Sequence, residues 1–426
     1  MMEKSTKEMA PLSFDGVSKK RKIHDGFRTF ANWLFGLLSV GILVWILAFV
    51  FMRGSSYLSW DFLSGDYHSK TLSYKTSDSF RIENYHDGKP FTQKEGLEKY
   101  PFSKRFGASF GLTKNLNGKE VVYLVSLEEG SPFFDFLDVS GNSFEYPLSK
   151  ASLDSLIIKD EEGKYETVYG SSSPKAFAEA LDKASAIYDI TFVTFGGGIR
   201  GSLLTTLALI GLTLLFLLPL GVGAAIYLSL YAKGGRITLL IRSLIDLTSG
   251  IPSIIFGLAG ALIFVPFASS IVGGSGGNLL SGALTLTIML LPVVIKTTEE
   301  AIRAVPRHYM DASLALGASK TETIFKIVLP NALGGILTST LLSIGRIVGE
   351  SAALVFAMGA TIGETVSFQS GYSSLAVHIW NVLSGESPAY DQASAIAIII
   401  LLTVLALNIG VKLISYFLEK KKGKRT

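Results

Sequence analysis

The sequence predicts an all-α polytopic membrane protein of about six transmembrane helices, with a small α+β domain inserted after the first of them. Of its 426 residues, 48% are hydrophobic and 17% are charged. This composition is too apolar for one soluble globule and too charged for a chain that lies wholly in lipid. Six long apolar runs carry the hydrophobic excess, and a polar stretch separates the first run from the other five.

Charge and cysteine content exclude several classes of protein. The formal net charge is only +4, and the basic residues gather at the two ends and in short loops between apolar runs. Membrane lipid is therefore an expected partner, and nucleic acid is not. The chain has no cysteine, which excludes disulfides, thiolate metal sites, thiol nucleophiles and a lipoprotein anchor. We expect no metal site and no catalytic residue.

The N-terminal part predicts a basic cytoplasmic stretch, residues 1–29, followed by a transmembrane anchor helix over residues 30–52. The run from Phe30 to Met52 is long enough, at about 1.5 Å per residue, to cross a hydrocarbon core of roughly 30 Å. It is too long for a signal peptide, and no small-residue cleavage site follows it. The anchor is therefore expected to stay on the chain.

Residues 53–198 are polar with scattered Tyr and Phe, and they predict a small extracytoplasmic domain of mixed α and β structure. The elements expected in it are a strand at Val121–Ser126, a hairpin formed by Leu156–Lys159 and Tyr165–Tyr169, and a helix from Ser173 to Ala186. The alternative is a loosely ordered loop. The aromatic content exceeds what disordered segments usually carry and favours the folded domain.

Residues 199–418 predict a five-helix core. The apolar runs are Leu203–Tyr231, Leu239–Val272, Leu279–Ile295, Gly334–Met358 and Ala393–Phe417. Placing the N-terminal basic stretch inside puts every short basic loop and the basic tail at 419–426 on the same side, as the positive-inside bias requires. We expect a multi-pass protein of the plasma (inner) membrane of a bacterium, with both termini cytoplasmic.

The loop at 299–331 predicts a helix-turn-helix bracket on the cytoplasmic side. Its first half, from Glu299 to Leu316, has a helical pattern. Gly317 supplies the positive φ that ends this helix, and Ser319 caps a second short helix that ends before Pro330. An apolar ridge on the bracket would enter a groove on a partner protein. The ridge consists of Leu314, Leu316, Ile324, Phe325 and Val328. The alternative is a hairpin that packs only on its own bundle.

Arg346 and Glu350 lie inside an apolar run, where each charge costs about 2.5 to 3.5 kcal/mol to insert. Their i, i+4 spacing would place both on one helical face, and Gly345 and Gly349 would let another helix approach closely. The guanidinium fork suits a tetrahedral oxyanion. Glu350 could accept a hydrogen bond from a partly protonated anion or hold the guanidinium in place. The alternative is a structural ion pair.

Three other patterns carry less information. Gly196–Gly201 fits G-x-G-x-x-G, but a membrane helix follows it and no βαβ unit surrounds it. No Walker motif for ATP occurs in the sequence, so an ATPase would have to be another subunit. Arg242 and Asp246 are interpreted as an ion pair at a helix end, and His378 and Trp380 as packing and interface residues.

The bracket resembles the coupling loop through which the membrane subunits of ABC importers bind their ATPase. In that family the loop reads Glu-Ala-Ala, three residues, Gly, nine residues and Ile-x-Leu-Pro. The residues that fall on this pattern are Asp311, Ala312, Ser313, Gly317, Ile327, Leu329 and Pro330. Asp311 and Ser313 depart from the family letters, but the acid stays acidic and the small residue stays small.

Five motifs in the same order resemble the PstA-type permeases of phosphate ABC importers, with their MetI-like type I permease fold, from about Gly198 to the C-terminus. They are Pro219–Tyr227, Ile251–Leu258, Leu291–Glu300, the bracket and Arg346–Ala353. The resemblance implies a non-catalytic subunit that moves inorganic phosphate inward. The partners it implies are a PstC-type sister permease, a PstB-type ATPase dimer that binds ATP-Mg, and an extracytoplasmic phosphate-binding protein. No cofactor is expected on this chain.

The resemblance also implies a substrate path through Arg346 and Glu350. Lys296 stands where the family usually has arginine, which keeps the charge and loses the bidentate fork. The 53–198 domain is far longer than the outer loop usual in the family. A docking platform for the binding protein is one use of it that the sequence leaves open.

Two alternatives also stay open. A guanidinium and a carboxylate do not by themselves select phosphate over another oxyanion, such as molybdate, sulfate or phosphonate. A membrane sensor with a ligand-binding outer domain is the alternative from a different class. A sensor does not need Lys296, Arg346 and Glu350 within its spans, whereas a translocation path does.

Overall fold

The computed structural model describes residues 19–77, 80–114, 119–138, 141–144, 151–385 and 388–423. Most of the basic N-terminal stretch, residues 1–18, and the last three residues of the basic tail lie outside the described residues. The expectations for those segments therefore stay predictions.

The described part of the chain is mainly helical. The helices are α1 (Lys19–Gly54), α2 (Trp60–Ser64), α3 (Pro174–Lys183), α4 (Arg200–Ile226), α5 (Arg236–Thr248), α6 (Ser253–Ala259), α7 (Val265–Val272), α8 (Leu279–Ala304), α9 (Arg307–Ala315), α10 (Lys320–Thr323), α11 (Leu329–Gly349), α12 (Ala352–Ala357), α13 (Leu375–Ser384) and α14 (Tyr390–Gly423). One π-helical turn, Tyr227–Tyr231, extends α4. Two others, Gly260–Phe264 and Ile324–Val328, join α6 to α7 and α10 to α11.

Six helical segments in the described residues are long and apolar enough to cross a membrane, which confirms the expected number. They are His24–Tyr57, Arg200–Tyr231, Ser253–Val272, Leu279–Ala304, Lys320–Gly349 and Tyr390–Phe417. Two expected runs were placed wrongly. The run from Leu239 is broken at Ser249–Pro252, so α5 is a separate helix. Pro252 has no N–H to donate, and it disfavours the helical conformation of the residue before it. The run to Met358 is broken at Glu350, whose ψ of 121° is extended.

Strands in the polar segment form two antiparallel sheets. They are β1 (Thr71–Lys75), β2 (Phe102–Ser103), β3 (Ala108–Lys114), β4 (Glu120–Leu127), β5 (Leu137–Asp138), β6 (Ala151–Asp160), β7 (Tyr165–Tyr169) and β8 (Ala184–Thr194). The sheet orders are β5-β1-β8-β6-β7 and β2-β3-β4. Phenylalanine side chains dominate the core between the sheets and α3; Phe106, Phe110, Phe133, Phe136, Phe177 and Phe192 are fully buried.

The expected mixed α and β character of this domain is confirmed, including the hairpin of β6 and β7. The expected helix to Ala186 is too long, because α3 ends at Lys183. The next residues enter β8, which pairs with β1 on one side and β6 on the other. These ladder hydrogen bonds outweigh the helical preference of the two alanines at its start.

The helical bundle packs around α4, α8 and α11. Leu209, Leu217, Leu286, Leu290 and Ile347 are fully buried in its core. By contrast, α1 leaves most of its apolar side chains exposed and lies against α14. An exposed apolar surface of that length is typical of a helix that faces lipid.

The sheet domain is fastened to the bundle at both of its connections. Glu364, in the loop after α12, accepts hydrogen bonds from the backbone N–H groups of Tyr67 (3.0 Å) and His68 (2.9 Å). Asp66 forms ion pairs with Lys70 at 2.7 Å and with Arg200 at the start of α4. Burial raises the pKa of Asp66, but the hydrogen bond from Lys70 and the charge of Arg200 outweigh it and lower the pKa below the ordinary value of 3.8. Asp66 is therefore a carboxylate that holds the junction together at neutral pH.

Backbone contacts make the same junction tight. A Cβ on Gly198 would lie 2.1 Å from the carbonyl oxygen of Gly65, and a Cβ on Gly201 would lie 1.8 Å from that of Gly363. Only glycine permits these approaches. The two segments that connect the sheet domain to the bundle therefore pack on each other and on the loop that carries Glu364.

His378, on α13, completes the junction and gives it a pH dependence. The imidazole is fully buried, its Nδ1 lies 2.9 Å from the Ser202 hydroxyl, and its ring packs edge-on with Tyr67 at 4.9 Å. Burial lowers the pKa of His378 from 6.5 to about 4. The ring is therefore neutral at pH 7, and its expected role as a packing residue is confirmed. Trp380, two residues on, is half exposed.

We expect acidification to weaken this junction. The unfolded histidine binds a proton below its pKa of 6.5, whereas the folded one resists protonation until about pH 4. The free energy of unfolding is therefore highest above pH 6.5, and it decreases progressively as the pH falls toward 4, by up to about 3 kcal/mol. Thermal unfolding of the detergent-purified protein across this range should show a loss that is smaller in His378→Gln. Parallel pH profiles of the two proteins would contradict this assignment.

Candidate functional site

The bracket after α8 is built from two local capping motifs. At the end of α9, Gly317 has a φ of +85°. Its N–H donates to the Leu314 carbonyl, and the N–H of Ala318 donates to the Ser313 carbonyl, which together form a Schellman motif. At the start of α10, Ser319 and Glu322 form a capping box, each side chain accepting from the backbone N–H of the other. The turn is therefore specified by its own residues.

The two arms of the bracket are also joined by side chains. The hydroxyls of Ser313 and Thr323 lie 2.9 Å apart, and Thr323 is buried. The serine that departs from the family's alanine thus gains a hydrogen bond across the bracket. Asp311 and Ala312 are exposed, and Ile327, Leu329 and Pro330 are half-buried at the base.

The apolar ridge of the bracket is smaller than expected. Leu316 is 89% exposed, and Leu314 and Phe325 are also exposed. Ile324 and Val328, in contrast, are buried; Val328 packs with the cluster around Ile295 and Ala332 at the end of the bundle next to the bracket. Both residues lie in the π-helical turn and are withdrawn from the surface, so the exposed ridge consists of Leu314, Leu316 and Phe325.

Two expected helix limits in this loop are wrong. The helix that contains Glu299 ends at Ala304, and Pro306 separates it from α9. The second helix does not end before Pro330. It continues through the π-helical turn into α11, because Pro330 lies in the first turn of α11, where a missing N–H costs little. The bracket is thereby continuous with a membrane-spanning helix.

Arg346 lies near the end of α11 and is exposed. Among the described residues no hydrogen bond or ion pair to its guanidinium is present, although Leu342, one turn earlier, is an exposed apolar neighbour on the same face. An unpaired charge on an apolar span must face protein or water in the membrane. The face around Arg346 is therefore expected to be covered by another protein or to line an aqueous path.

Glu350 differs from Arg346 in burial, and their expected placement on one helical face stays a prediction. The residue follows the last turn of α11 and is buried, with 9% of its surface exposed. One carboxylate oxygen accepts a hydrogen bond from the N–H of Ala353, at the start of α12, at 3.2 Å. The carboxylate thus joins two helices at a break in the span.

Gly345 and Gly349 do not bring two of the described helices together. A Cβ at either position would meet no atom within 4 Å. Close approach within the bundle occurs elsewhere: a Cβ on Gly257 of α6 would lie 2.7 Å from Ala353 of α12. The small surface of Gly345 and Gly349 is therefore not covered by any of the described residues.

Lys296 lies on α8 and is paired with a carboxylate. Its Nζ is 2.7 Å from Asp246 on α5 and 3.4 Å from the Ser249 hydroxyl. Arg242 of α5 forms a two-pronged ion pair with Glu299 of α8, at 3.0 and 3.2 Å, and also donates to the Leu228 carbonyl. The expected pair between Arg242 and Asp246 is therefore replaced by two ion pairs between α5 and α8.

Sequence reasoning missed Glu299 as a functional carboxylate. The signal was present in the spacing: Arg242 and Asp246 are four apart on α5, and Lys296 and Glu299 are three apart on α8 with the signs reversed. Residues three and four apart share one face of a helix. The opposite charges on these two faces can pair when the helices run antiparallel. Only the tertiary structure shows that α5 and α8 are in contact.

Arg242→Ala should destabilise the protein by about 2–3 kcal/mol, because it removes both short hydrogen bonds to the nearly buried Glu299 carboxylate and leaves it only the longer ion pair with Arg303 at 3.7 Å. Thermal unfolding in detergent measures the loss. Lys326→Ala is the matched control, since it breaks an exposed, solvent-screened ion pair with Glu322 and should cost much less stability. Equal losses in the two variants would contradict a stabilising role for the Arg242–Glu299 pair.

Comparison with known protein families gives the class of this protein. Residues 217–424 match the model of the family described as the binding-protein-dependent transport system inner membrane component. The chain belongs to this family, and it is a multi-pass, non-catalytic membrane component of a transport system.

Curated relatives narrow the class further. The chain is 36% identical over 264 residues to the probable ABC transporter permease protein YqgI of Bacillus subtilis (strain 168), covering 58% of this chain and 86% of the relative. It is 33% identical to the phosphate transport system permease protein PstA of Haemophilus influenzae, covering 53% and 77%. It is 30% identical to the phosphate transport system permease protein PstA 1 of Mycobacterium tuberculosis (strain CDC 1551 / Oshkosh), covering 54% and 74%.

Proposed function

We propose that this chain is a permease subunit of an ATP-driven importer that moves inorganic phosphate across the plasma membrane. The observation that carries the proposal is Arg346, an exposed guanidinium without a partner among the described residues, on a membrane span. Planar guanidinium forks bind tetrahedral oxyanions by paired, charge-assisted hydrogen bonds. The names of the PstA relatives support phosphate as that oxyanion.

The path runs along the exposed end of α11. Arg346 binds the anion transiently, and the buried Glu350 at the helix break accepts a hydrogen bond from a protonated phosphate oxygen. A PstC-type sister permease covers this face and uses the small surfaces of Gly345 and Gly349. Binding has to be weak, because a tightly held anion would not leave the path.

The orientation follows the positive-inside bias. Both termini, the bracket and the basic tail at 419–426 lie in the cytoplasm. The 53–198 domain lies outside, where an extracytoplasmic phosphate-binding protein delivers its cargo to the 199–418 core. ATP-Mg binds only to the partner ATPase.

Coupling to ATP hydrolysis passes through the bracket. A PstB-type ATPase dimer binds the exposed ridge of Leu314, Leu316 and Phe325 in a groove. From Leu329 to Arg346 the chain is one helix, about 25 Å long at 1.5 Å per residue. A displacement of the bracket by the ATPase is therefore transmitted along α11 to the anion site at Arg346.

Radiolabelled phosphate uptake tests the proposal. Deleting this chain from phosphate-starved cells that have no other phosphate importer should abolish uptake, and restoring it should return uptake. Excess sulfate, molybdate and phosphonate serve as competitors. Restored uptake that resists all three supports phosphate. Uptake that one competitor suppresses transfers the assignment to that oxyanion, and unchanged uptake after deletion rejects the proposal.

A further inference from the structure

Helix α5 is attached to the bundle by two ion pairs to α8 and by one partly buried apolar side chain, Ile245. It has no buried residue, and apolar side chains such as Ile237 and Leu247 are about 76% and 68% exposed. Its links to α8 are the Arg242–Glu299 pair and the Asp246–Lys296 pair. The two pairs are called the anchor pair and the outer pair below.

The two pairs differ in strength. In the anchor pair the Glu299 side chain is only 11% exposed, and Arg242 makes two contacts to it and one to the Leu228 carbonyl. In the outer pair the Asp246 side chain is 68% exposed and the Lys296 side chain 39%, with one short contact between them. Solvent screens the outer pair much more, so it opens at lower cost than the anchor pair.

The outer pair also lies beside a joint in the chain. Asp246 is two residues before the end of α5 at Thr248, and the segment Ser249–Pro252 then turns the chain into α6. Lys296 lies eight residues before the end of α8 at Ala304, on the side of the molecule that carries the bracket. The end of α5 can therefore move away from Lys296 while Arg242 still holds the helix.

We propose that Asp246 is a positioning residue that neutralises Lys296 and so controls when this cation is available to the transported anion. The proposal rests on the function proposed above, with Lys296 on the bracket side of the path. A carboxylate at 2.7 Å competes directly with a phosphate anion for the ammonium and repels that anion. While the pair is closed, phosphate already inside the cell cannot occupy the lysine and obstruct the exit.

The predicted consequence concerns phosphate on the inner side. Asp246→Asn keeps the shape of the side chain and removes its charge, which leaves Lys296 free to bind internal phosphate. Uptake by the variant should therefore become sensitive to internal phosphate. From the energies of exposed charge pairs, the change should be about two- to fivefold.

The experiment uses membrane vesicles that contain the complete importer, supplied with ATP and the binding protein. One set is preloaded with unlabelled phosphate and a matched set with chloride. The measured quantity is the ratio of the initial labelled uptake rates in the two sets. Co-purification of the ATPase is checked for each variant. Asp246→Glu should keep the wild-type ratio, and so should Glu179→Gln, which removes the carboxylate of an exposed ion pair with Lys175 in the sheet domain.

A ratio in Asp246→Asn that falls two- to fivefold below the wild-type ratio supports the proposal. A loss of rate that is equal in both vesicle sets leaves the ratio unchanged and overturns the proposal, because a merely structural ion pair predicts that result.

The double variant Asp246→Lys, Lys296→Asp exchanges the two charges and separates a structural role from control of the cation. It restores the pair but moves the cation to α5, so full wild-type uptake and ratio in this protein would also overturn the proposal. Failure of the wild-type vesicles to take up phosphate would instead reject the proposed function itself.

Discussion

Arg346→Ala should abolish phosphate uptake while leaving the permease in the membrane and bound to its ATPase. The guanidinium has no hydrogen-bond or ion-pair partner among the described residues, so its removal breaks no polar contact between them. Its loss deletes a charged donor from the anion path, and hydrogen bonds to charged groups contribute about 1.5–3 kcal/mol. Initial uptake should fall by about ten- to a hundredfold. Uptake by complemented cells and co-purification of the ATPase are the two measurements.

Two variants control this experiment. Arg346→Lys keeps the charge and loses the fork, so it should retain part of the uptake. Leu342→Ala changes an exposed side chain on the same face of α11 and should leave uptake close to wild type. Normal uptake by Arg346→Ala would remove this residue from the anion path. Uptake lost together with ATPase binding would mean that Arg346 supports assembly.

Gly317→Pro should release the ATPase from the permease. The bracket turns at a φ of +85°, whereas proline is fixed near −65° and has no N–H to donate to the Leu314 carbonyl. The end of α9 would reorient, and the apolar ridge would lose its shape. Because the turn is exposed and a Cβ at position 317 would meet no atom within 4 Å, the bundle itself should still fold. Purification of the tagged permease, followed by measurement of the ATPase that stays with it, gives the result.

The turn and the ridge can be tested separately. Gly317→Asn should largely keep the complex, because asparagine tolerates the left-handed conformation better than other residues with a side chain. Leu316→Asp leaves the turn intact but places a charge on the most exposed ridge residue, and it should also release the ATPase. If the ATPase stays bound to both Gly317→Pro and Leu316→Asp, the bracket is not the docking site.

Sequence alone determined the features that depend on local chemistry. The number of spans followed from the length of apolar runs, because each helix satisfies its own backbone hydrogen bonds in lipid. The bracket followed from Gly317 and Ser319, since capping motifs involve only neighbouring residues. The α+β character of the inserted domain followed from alternating and β-branched segments.

Tertiary structure decided how distant segments meet. Ile324 and Val328 are expected on the exposed ridge, but both are buried, and Val328 packs on the end of the bundle next to the bracket. Arg346 and Glu350 both lie in one apolar run, but only Glu350 is buried, and it accepts a hydrogen bond from the N–H of Ala353 at the start of α12. Lys296 is expected on the substrate path, and its partner in the fold, Asp246, lies fifty residues earlier in the chain. Periodicity predicts which residues share a helical face, whereas the partner of that face depends on the register between helices, which no local pattern encodes.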